Sequence, residues 1–148
     1  MPKLIDEVQL YTDGGCRGNP GPGAIGMVIM DAEQRELLAC AESIGPATNN
    51  RAEYRALIKG LDLCAAYTRR RVVCYSDSEL LVNQMTGAYR LKNEELRALW
   101  QRAKELELVF QEVVYRHVRR TDQFITKADR LLNEAFDGPK PPGKIREF

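Results

Sequence analysis

Four acidic residues stand at positions where a carboxylate is costly or unusual. Asp13 follows an apolar run and is itself followed, up to residue 23, by five glycines and two prolines. Asp77 comes directly after the apolar run RVVCYS. Glu53 falls on the apolar face of a predicted helix, and Asp129 is predicted to open the last helix. Taken singly, each acid has an ordinary explanation as a turn residue, a helix cap or a charge near a helix dipole.

Brought together, the four carboxylates would form a site for divalent cations. They would repel one another, and some would take up protons, unless a cation lay between them. Oxygen ligands without histidine or cysteine favour a hard ion such as Mg²⁺ or Mn²⁺. Two such ions about 3.5–4 Å apart stabilise both the attacking and the leaving oxygen of an in-line phosphoryl displacement. The acids therefore suggest metal-dependent cleavage of a phosphate ester.

The period of the apolar residues predicts the elements that would position these acids. Alternation near the start indicates three strands in an antiparallel meander, and helical spacing follows, with Thr48 as the N-cap of the first helix. A later strand–helix–strand passage demands a parallel crossover, so we expect an α/β fold with a mixed sheet covered by helices. The predicted elements are strands 7–13, 24–30 and 36–44, helix 49–67, strand 71–76, helices 78–86 and 93–106, strand 108–117 and helix 127–136.

This order of elements would bring the acids to one edge of the sheet. Asp13 and Asp77 would end neighbouring parallel strands, and ligands of open α/β sheets bind beyond the carboxyl ends of such strands. Glu53, expected in the first turn of its helix, could reach the same edge. Gly14, Gly15 and Gly18 would then let the main chain lie close to a substrate.

Length and composition bound the remaining possibilities. With 148 residues, 44% hydrophobic residues and a net charge of +1, the chain is expected to form one soluble domain. No apolar stretch approaches the roughly 18–20 residues that cross a membrane, and we expect a cytoplasmic monomer. Prolines and glycines near the end predict a boundary, with a catalytic domain over 1–136 and a C-terminal tail over 137–148.

Five blocks of the sequence carry a recognisable pattern: YTDGGCRGNPGPGAIG (11–26), ATNNRAEYRALIKGL (47–61), YSDSELLVNQMTG (75–87), RHVRR (116–120) and KADRLLNEA (127–135). In order and spacing these blocks resemble type I ribonuclease H. The resemblance implies a ribonuclease H-like fold with a five-stranded mixed sheet, in which three antiparallel strands are followed by parallel strands, flanked by helices. It also implies endonucleolytic hydrolysis of the RNA strand of RNA–DNA hybrids, leaving 5′-phosphate and 3′-hydroxyl ends.

The same resemblance assigns roles to the acids. Asp13 resembles the carboxylate that bridges two Mg²⁺ ions, for which Mn²⁺ is a possible substitute. Glu53 and Asp77 resemble the other ligands of the ion on the leaving-group side. Asp129 resembles the partner of Asp13 on the ion that activates the attacking water.

Further positions resemble the family's substrate contacts. Thr48 resembles part of a pocket that grips a phosphate of the DNA strand. His117 resembles a histidine that helps the product leave, although its interval to Asp129 is longer than usual, so Arg119 could serve instead. The residues that resemble readers of the minor groove and of RNA 2′-hydroxyls are Cys16, Gly18, Asn19, Asn49 and Asn50. The asparagines also have ordinary explanations as turn and helix-start residues.

Two alternatives to this interpretation stay open at the level of sequence. One is another nuclease on the same fold, and the other is a catalytically silent module that binds hybrids. The segment 85–94 is too short for the basic handle that some family members carry, so hybrid binding is expected to be salt-sensitive and to depend on local basic groups. These include Arg17, Arg90, Lys92, Arg116, Arg119 and Arg120.

Overall fold

The strands predicted from apolar alternation form a single sheet in the computed structural model, which describes residues 3–136. The elements are β1 (Ile5–Cys16), β2 (Gly21–Asp31), β3 (Glu36–Ala47), α1 (Asn49–Cys64), β4 (Thr68–Ser76), α2 (Glu79–Met85), α3 (Glu94–Glu107), β5 (Glu112–His117) and α4 (Gln123–Phe136). The order of the strands in the sheet is β3-β2-β1-β4-β5. The pairs β1–β2 and β2–β3 are antiparallel, whereas β1–β4 and β4–β5 are parallel, which confirms the predicted mixed sheet.

Two apolar layers cover opposite faces of this sheet. Successive strand residues point to opposite faces, so Leu10 joins the cluster that contains α1, whereas Tyr11 joins the cluster that contains α4. Helix α1 can lie close to β1 because Gly60 has no side chain. A Cβ at this position would come within 2.7 Å of Leu10 Cδ1. Helix α4 buries Ile125 and Ala128 against the other face.

Strand β1 continues past the predicted end at Asp13. Residues 14–16 stay paired with β2, and Asp13 itself is opposite Gly26. The parallel ladder with β4, however, ends at the pair Tyr11–Tyr75. Asp13 and Asp77 therefore each lie two residues beyond the last parallel pair. The prediction that Asp13 ends its strand was wrong, but the two acids still reach the same edge.

Two of the four helices differ from the predicted bounds by more than one residue. Helix α1 begins at Asn49, as predicted, but ends at Cys64, and Glu53, its fifth residue, lies in the second turn rather than the first. Helix α4 begins at Gln123, so Asp129 lies inside the helix and does not open it. The physical reason is Asp122, whose Oδ1 accepts the main-chain N–H of Phe124 at 2.9 Å and supplies the start signal.

Strand β5 starts at Glu112, four residues after the predicted start. Leu108, Val109 and Phe110 instead form turn hydrogen bonds to the last residues of α3.

Among the described residues, no helix is both long enough and apolar enough to cross a membrane. The predicted tail over 137–148 lies outside the described residues.

Candidate metal centre and substrate cleft

Three of the predicted acids meet beyond the end of the parallel ladder. Asp13 comes from β1, Glu53 from α1 and Asp77 from the residue after β4, and each offers a carboxylate oxygen within 4.8 Å of the others. The equal distance of Asp13 and Asp77 from the pair Tyr11–Tyr75 explains why they are neighbours. The predicted convergence of these three side chains is confirmed.

Gly14 brings Glu53 into this group. The Gly14 N–H donates to Glu53 Oε1 at 2.9 Å. A Cβ at Gly14 would lie 2.3 Å from the main-chain oxygen of Ala52, so only glycine lets α1 approach β1 this closely. The expectation that Gly14 makes room for a substrate is therefore corrected, because helix α1 occupies that room. At Gly15 an added Cβ would meet nothing within 4 Å.

Asp129 reaches the same pocket from the opposite layer. It lines the pocket together with the three acids, and its interaction with Asp13 is one of the causes of the raised pKa of Asp13. It is exposed, and it stands outside the group whose oxygens lie within 4.8 Å of one another. Helix α4 can approach β2 because Gly26 has no side chain. A Cβ at this position would lie 2.2 Å from the Ala128 main-chain oxygen. Asp129 therefore stands beside Asp13 at the rim.

Burial and like charge make this pocket unfavourable for free carboxylates. Burial, the charge of Asp77 and contact with Asp129 raise the pKa of Asp13 from 3.8 to about 8. Burial and the charges of Asp13 and Asp77 also raise the pKa of Glu53 well above its ordinary value. Such a cluster binds either protons or a cation. Its donors are all carboxylate oxygens, which fit a hard divalent ion.

Two basic side chains stand near Asp77, and one of them differs from the prediction. The Nε of Arg120 is 3.5 Å from Asp77 Oδ2, and Arg120 lines the acidic pocket. His117 is exposed at the end of β5, and its Nε2 is 3.3 Å from the main-chain oxygen of Asp77. The sequence suggested His117 or Arg119 for an assisting role and counted Arg120 only among the basic groups. The run RHVRR signals such a residue, but it does not say which one faces the acids.

Three of the five predicted readers of the substrate, Cys16, Asn19 and Asn49, form a small hydrogen-bonded group beside the pocket, whereas Asn50 lines a second cleft. The N–H of Cys16 donates to Asn49 Oδ1 at 3.1 Å, and its Sγ–H donates to the same oxygen at 3.2 Å. The N–H of Asn49 donates to Asn19 Oδ1 at 3.1 Å. Gly18 has φ of 82°, a conformation that favours glycine. These contacts tie the loop after β1 to the start of α1.

A second cleft, of about 310 Å³, lies on the far side of this group. Thr48 Oγ1 accepts the N–H of Arg51 at 3.2 Å, which confirms Thr48 as the N-cap of α1. The Nη1 of Arg51 is 3.6 Å from Glu95 Oε2, and its Nε is buried without a hydrogen-bond partner among the described residues. The cleft is lined by Asn19, Thr48, Asn50, Arg51, Asn93, Glu95 and Leu96.

Sequence reasoning missed Arg51 and Asn93 as lining residues. Asn93 accepts the N–H of Leu96 at 3.1 Å as the N-cap of α3, and its position before a helical pattern could have identified it. No local signal places Arg51 beside α3, because that contact depends on how two helices pack.

Fold and site together define a class: an α/β protein with a carboxylate centre, suited to divalent ions, at the carboxyl edge of a mixed sheet. Comparison with known proteins agrees. A family model described as reverse transcriptase-like matches residues 11–135. Ribonuclease HI of Halobacterium salinarum is 39% identical over 137 residues, which cover 93% of this chain and 68% of that protein. The chain belongs to the type I ribonuclease H family.

Solved structures give the same result. The crystal structure of ribonuclease H1 from Halobacterium salinarum matches with a TM-score of 0.85 and 38% identity, over 90% of this chain and 99% of that one. The crystal structure of LC11-RNase H1 in complex with an RNA/DNA hybrid has a TM-score of 0.81 and 37% identity, over 88% of this chain and 96% of that one.

A longer relative is also similar in sequence. A bifunctional protein of Mycobacterium tuberculosis is 41% identical over 132 residues, and the chain spans 36% of its length.

Proposed function

We propose that this chain is a ribonuclease H, which cuts the RNA strand of RNA–DNA hybrids internally and leaves 5′-phosphate and 3′-hydroxyl ends. The observation that carries the proposal is the group of oxygens from Asp13, Glu53 and Asp77 within 4.8 Å of one another. The hybrid bound by the related LC11-RNase H1 supports the choice of substrate.

Two Mg²⁺ ions, with Mn²⁺ as a possible substitute, are the cofactors we propose. Asp13 would contact both ions, Glu53 and Asp77 would complete one site, and Asp129 would complete the other. When bound, the ions would supply an activated water and stabilisation of the leaving oxygen. The position of Asp129 beside Asp13, outside the tight group of three, supports its assignment to a separate ion.

Protein side chains would orient the hybrid beside this centre. The amide oxygens of Asn19 and Asn49 already accept hydrogen bonds from the protein. Their NH₂ groups are therefore the donors we propose for RNA 2′-hydroxyls, which are the feature that distinguishes RNA from DNA. Cys16 holds Asn49 in place, and Gly18 and Asn50 would contact the same groove.

The second cleft would bind a phosphate of the DNA strand. Thr48, which resembles part of such a pocket in the family, lines this cleft at the start of α1. Arg51 adds a positive charge, and its Nε is buried without a hydrogen-bond partner among the described residues. Asn93 adds a polar side chain from the start of α3. Arginine is the side chain best suited to a phosphate, because its guanidinium donates two parallel hydrogen bonds.

A cleavage assay tests the proposal and separates it from its alternatives. The protein is incubated with an RNA–DNA hybrid, a DNA duplex and an RNA duplex, each with Mg²⁺ and with a chelator. We expect cutting of the hybrid's RNA strand in the presence of the ion. Cutting of the DNA duplex would favour another nuclease of this fold, and binding without cutting would favour a silent module. Asp13→Asn should abolish cutting, and retained turnover in that variant would refute the metal assignment.

Several expectations stay predictions beside this proposal. They are the product-release role of His117 or Arg119, the monomeric state, the cytoplasmic location, and the division into a catalytic domain over 1–136 and a tail over 137–148. The assay above can address the first by comparing single-turnover with multiple-turnover rates of His117→Ala and Arg119→Ala. A variant impaired only over many turnovers would have the release defect.

A further inference from the structure

Arg120 lies over the acidic pocket and contacts one of its shielded carboxylates. Its Nε is 3.5 Å from Asp77 Oδ2, and its side chain is 91% exposed whereas that of Asp77 is only 11% exposed. Among the described residues that line this pocket, Arg120 is the basic one. A guanidinium from the loop after β5 therefore reaches from solvent onto the rim of the acid group.

The charge of Arg120 acts on more than its direct partner. It also has a favourable electrostatic interaction with Asp13 and Glu53, opposite in sign to the repulsion among the acids. A guanidinium keeps its proton at all pH values at which proteins are folded. The protein thus supplies its own permanent cation to a group of carboxylates that repel one another.

The main chain around Arg120 is held on both sides. The N–H of Val118 donates to the Ser76 oxygen at 3.0 Å, and the N–H of Asp122 donates to the Arg119 oxygen at 2.9 Å. Thr126 Oγ1 donates to the main-chain oxygen of Arg120 at 3.3 Å. Contact with Asp77 can therefore be lost by rotation of the exposed side chain alone, without movement of the loop.

We propose that Arg120 is the internal counter-ion of this pocket, which pairs with Asp77 in the metal-free protein and has to leave Asp77 when a divalent ion binds there. The inference rests on the proposed function, because it takes Asp77 as a metal ligand. Two cations cannot share this carboxylate without repulsion. Because an ion pair this exposed is weak, the exchange is easy, and Arg120 lowers metal affinity without preventing binding.

Calorimetric titration of Mn²⁺ into the metal-free 148-residue chain, without nucleic acid, tests this role. Arg120→Gln should tighten Mn²⁺ binding by about two- to fivefold, the scale of an exposed ion pair. The matched control is Arg119→Gln, which removes the same charge one residue away from the ion pair. It should change the Kd less than Arg120→Gln does, because it reports only the loss of general positive charge. Asp13→Asn should weaken binding by more than about tenfold, because it removes a carboxylate ligand.

The outcomes separate this inference from the proposed function. If Arg120→Gln binds Mn²⁺ no more tightly than Arg119→Gln, the counter-ion role is wrong, while loss of binding in Asp13→Asn still supports the metal site. If Asp13→Asn binds as the unchanged protein does, or the unchanged protein does not bind Mn²⁺, the metal assignment fails and the counter-ion role fails with it.

Discussion

Asp13→Asn is expected to stabilise the metal-free protein at neutral pH. The pKa of Asp13 is raised from 3.8 to about 8, so between these values the folded state holds a proton that the unfolded state has lost. Stability therefore falls as pH rises through this window. Each pH unit within this window lowers the free energy of unfolding by about 1.4 kcal/mol. The destabilisation by Asp13 at pH 7 is therefore at most about 4 kcal/mol. Asparagine removes the acid without changing its size, so we expect a gain of about 2–4 kcal/mol.

Urea unfolding in the presence of a chelator measures this gain. Trp100 is the single tryptophan of the chain, and its Nε1 donates to the main-chain oxygen of Gln84 at 3.2 Å. Its fluorescence should therefore report loss of packing between α2 and α3. Near pH 4 the folded protein holds Asp13 in its neutral, protonated form, which is nearly equivalent to the asparagine that replaces it. The gain from Asp13→Asn should therefore shrink toward zero at that pH.

Asp31→Asn is a control of opposite sign. Asp31 and Asp13 are both 8% exposed. Asp31, however, accepts hydrogen bonds from the N–H of Arg35 at 2.8 Å, from Arg35 Nε at 2.8 Å and from the N–H of Glu33 at 2.9 Å. These bonds lower its pKa, so its contribution is present above 3.8 and is lost as pH falls through the folded-state value. Asp31→Asn should destabilise the protein at pH 7.

Either of two results would refute a strained, proton-binding Asp13 carboxylate. One is an Asp13→Asn variant no more stable than the unchanged protein at pH 7 without metal. The other is a gain of the same size at pH 4 and pH 7, because simple repacking would not depend on pH. A loss of stability in both Asp13→Asn and Asp31→Asn would show that the pocket acids are paired as well as Asp31 is.

Three further predictions concern metal, packing and substrate. Mg²⁺ at about 100 times its Kd should stabilise the unchanged protein by about 2.7 kcal/mol in thermal unfolding, and Asp13→Asn should show little of this effect. Gly26→Ala should push α4 away from β2, lower the free energy of unfolding by about 1–3 kcal/mol and lower kcat by displacing Asp129. Gly15→Ala, which has open space at its Cβ, should lower the free energy of unfolding less. Arg51→Ala should raise the KM for hybrid and reduce the salt dependence of log K by about 1, with kcat nearly unchanged; an unchanged salt slope would exclude a phosphate contact.

The sequence predicted the order of elements and the meeting of three acids because both depend on local signals. Apolar period gives the strands and helices, and a parallel crossover brings Asp13 and Asp77 to one edge. Local signals could not show that the parallel ladder stops at Tyr11 while β1 continues with β2. Nor could they show that Asp122 starts α4. The contact of Arg120 with Asp77 depends on side chains from the segments that follow β5 and β4, which only tertiary packing brings together.

The acids belong to three different structural layers, and this has a mechanical consequence. Glu53 comes from the helix on one face, Asp13 from the sheet, Asp77 from the residue that follows β4, and Asp129 from the helix on the other face. The two proposed ions, which would share Asp13, would together link these layers at one end of the fold. Loading the site should therefore slow amide hydrogen exchange in α1 and α4 together, so that two helices with separate apolar contacts open as one unit.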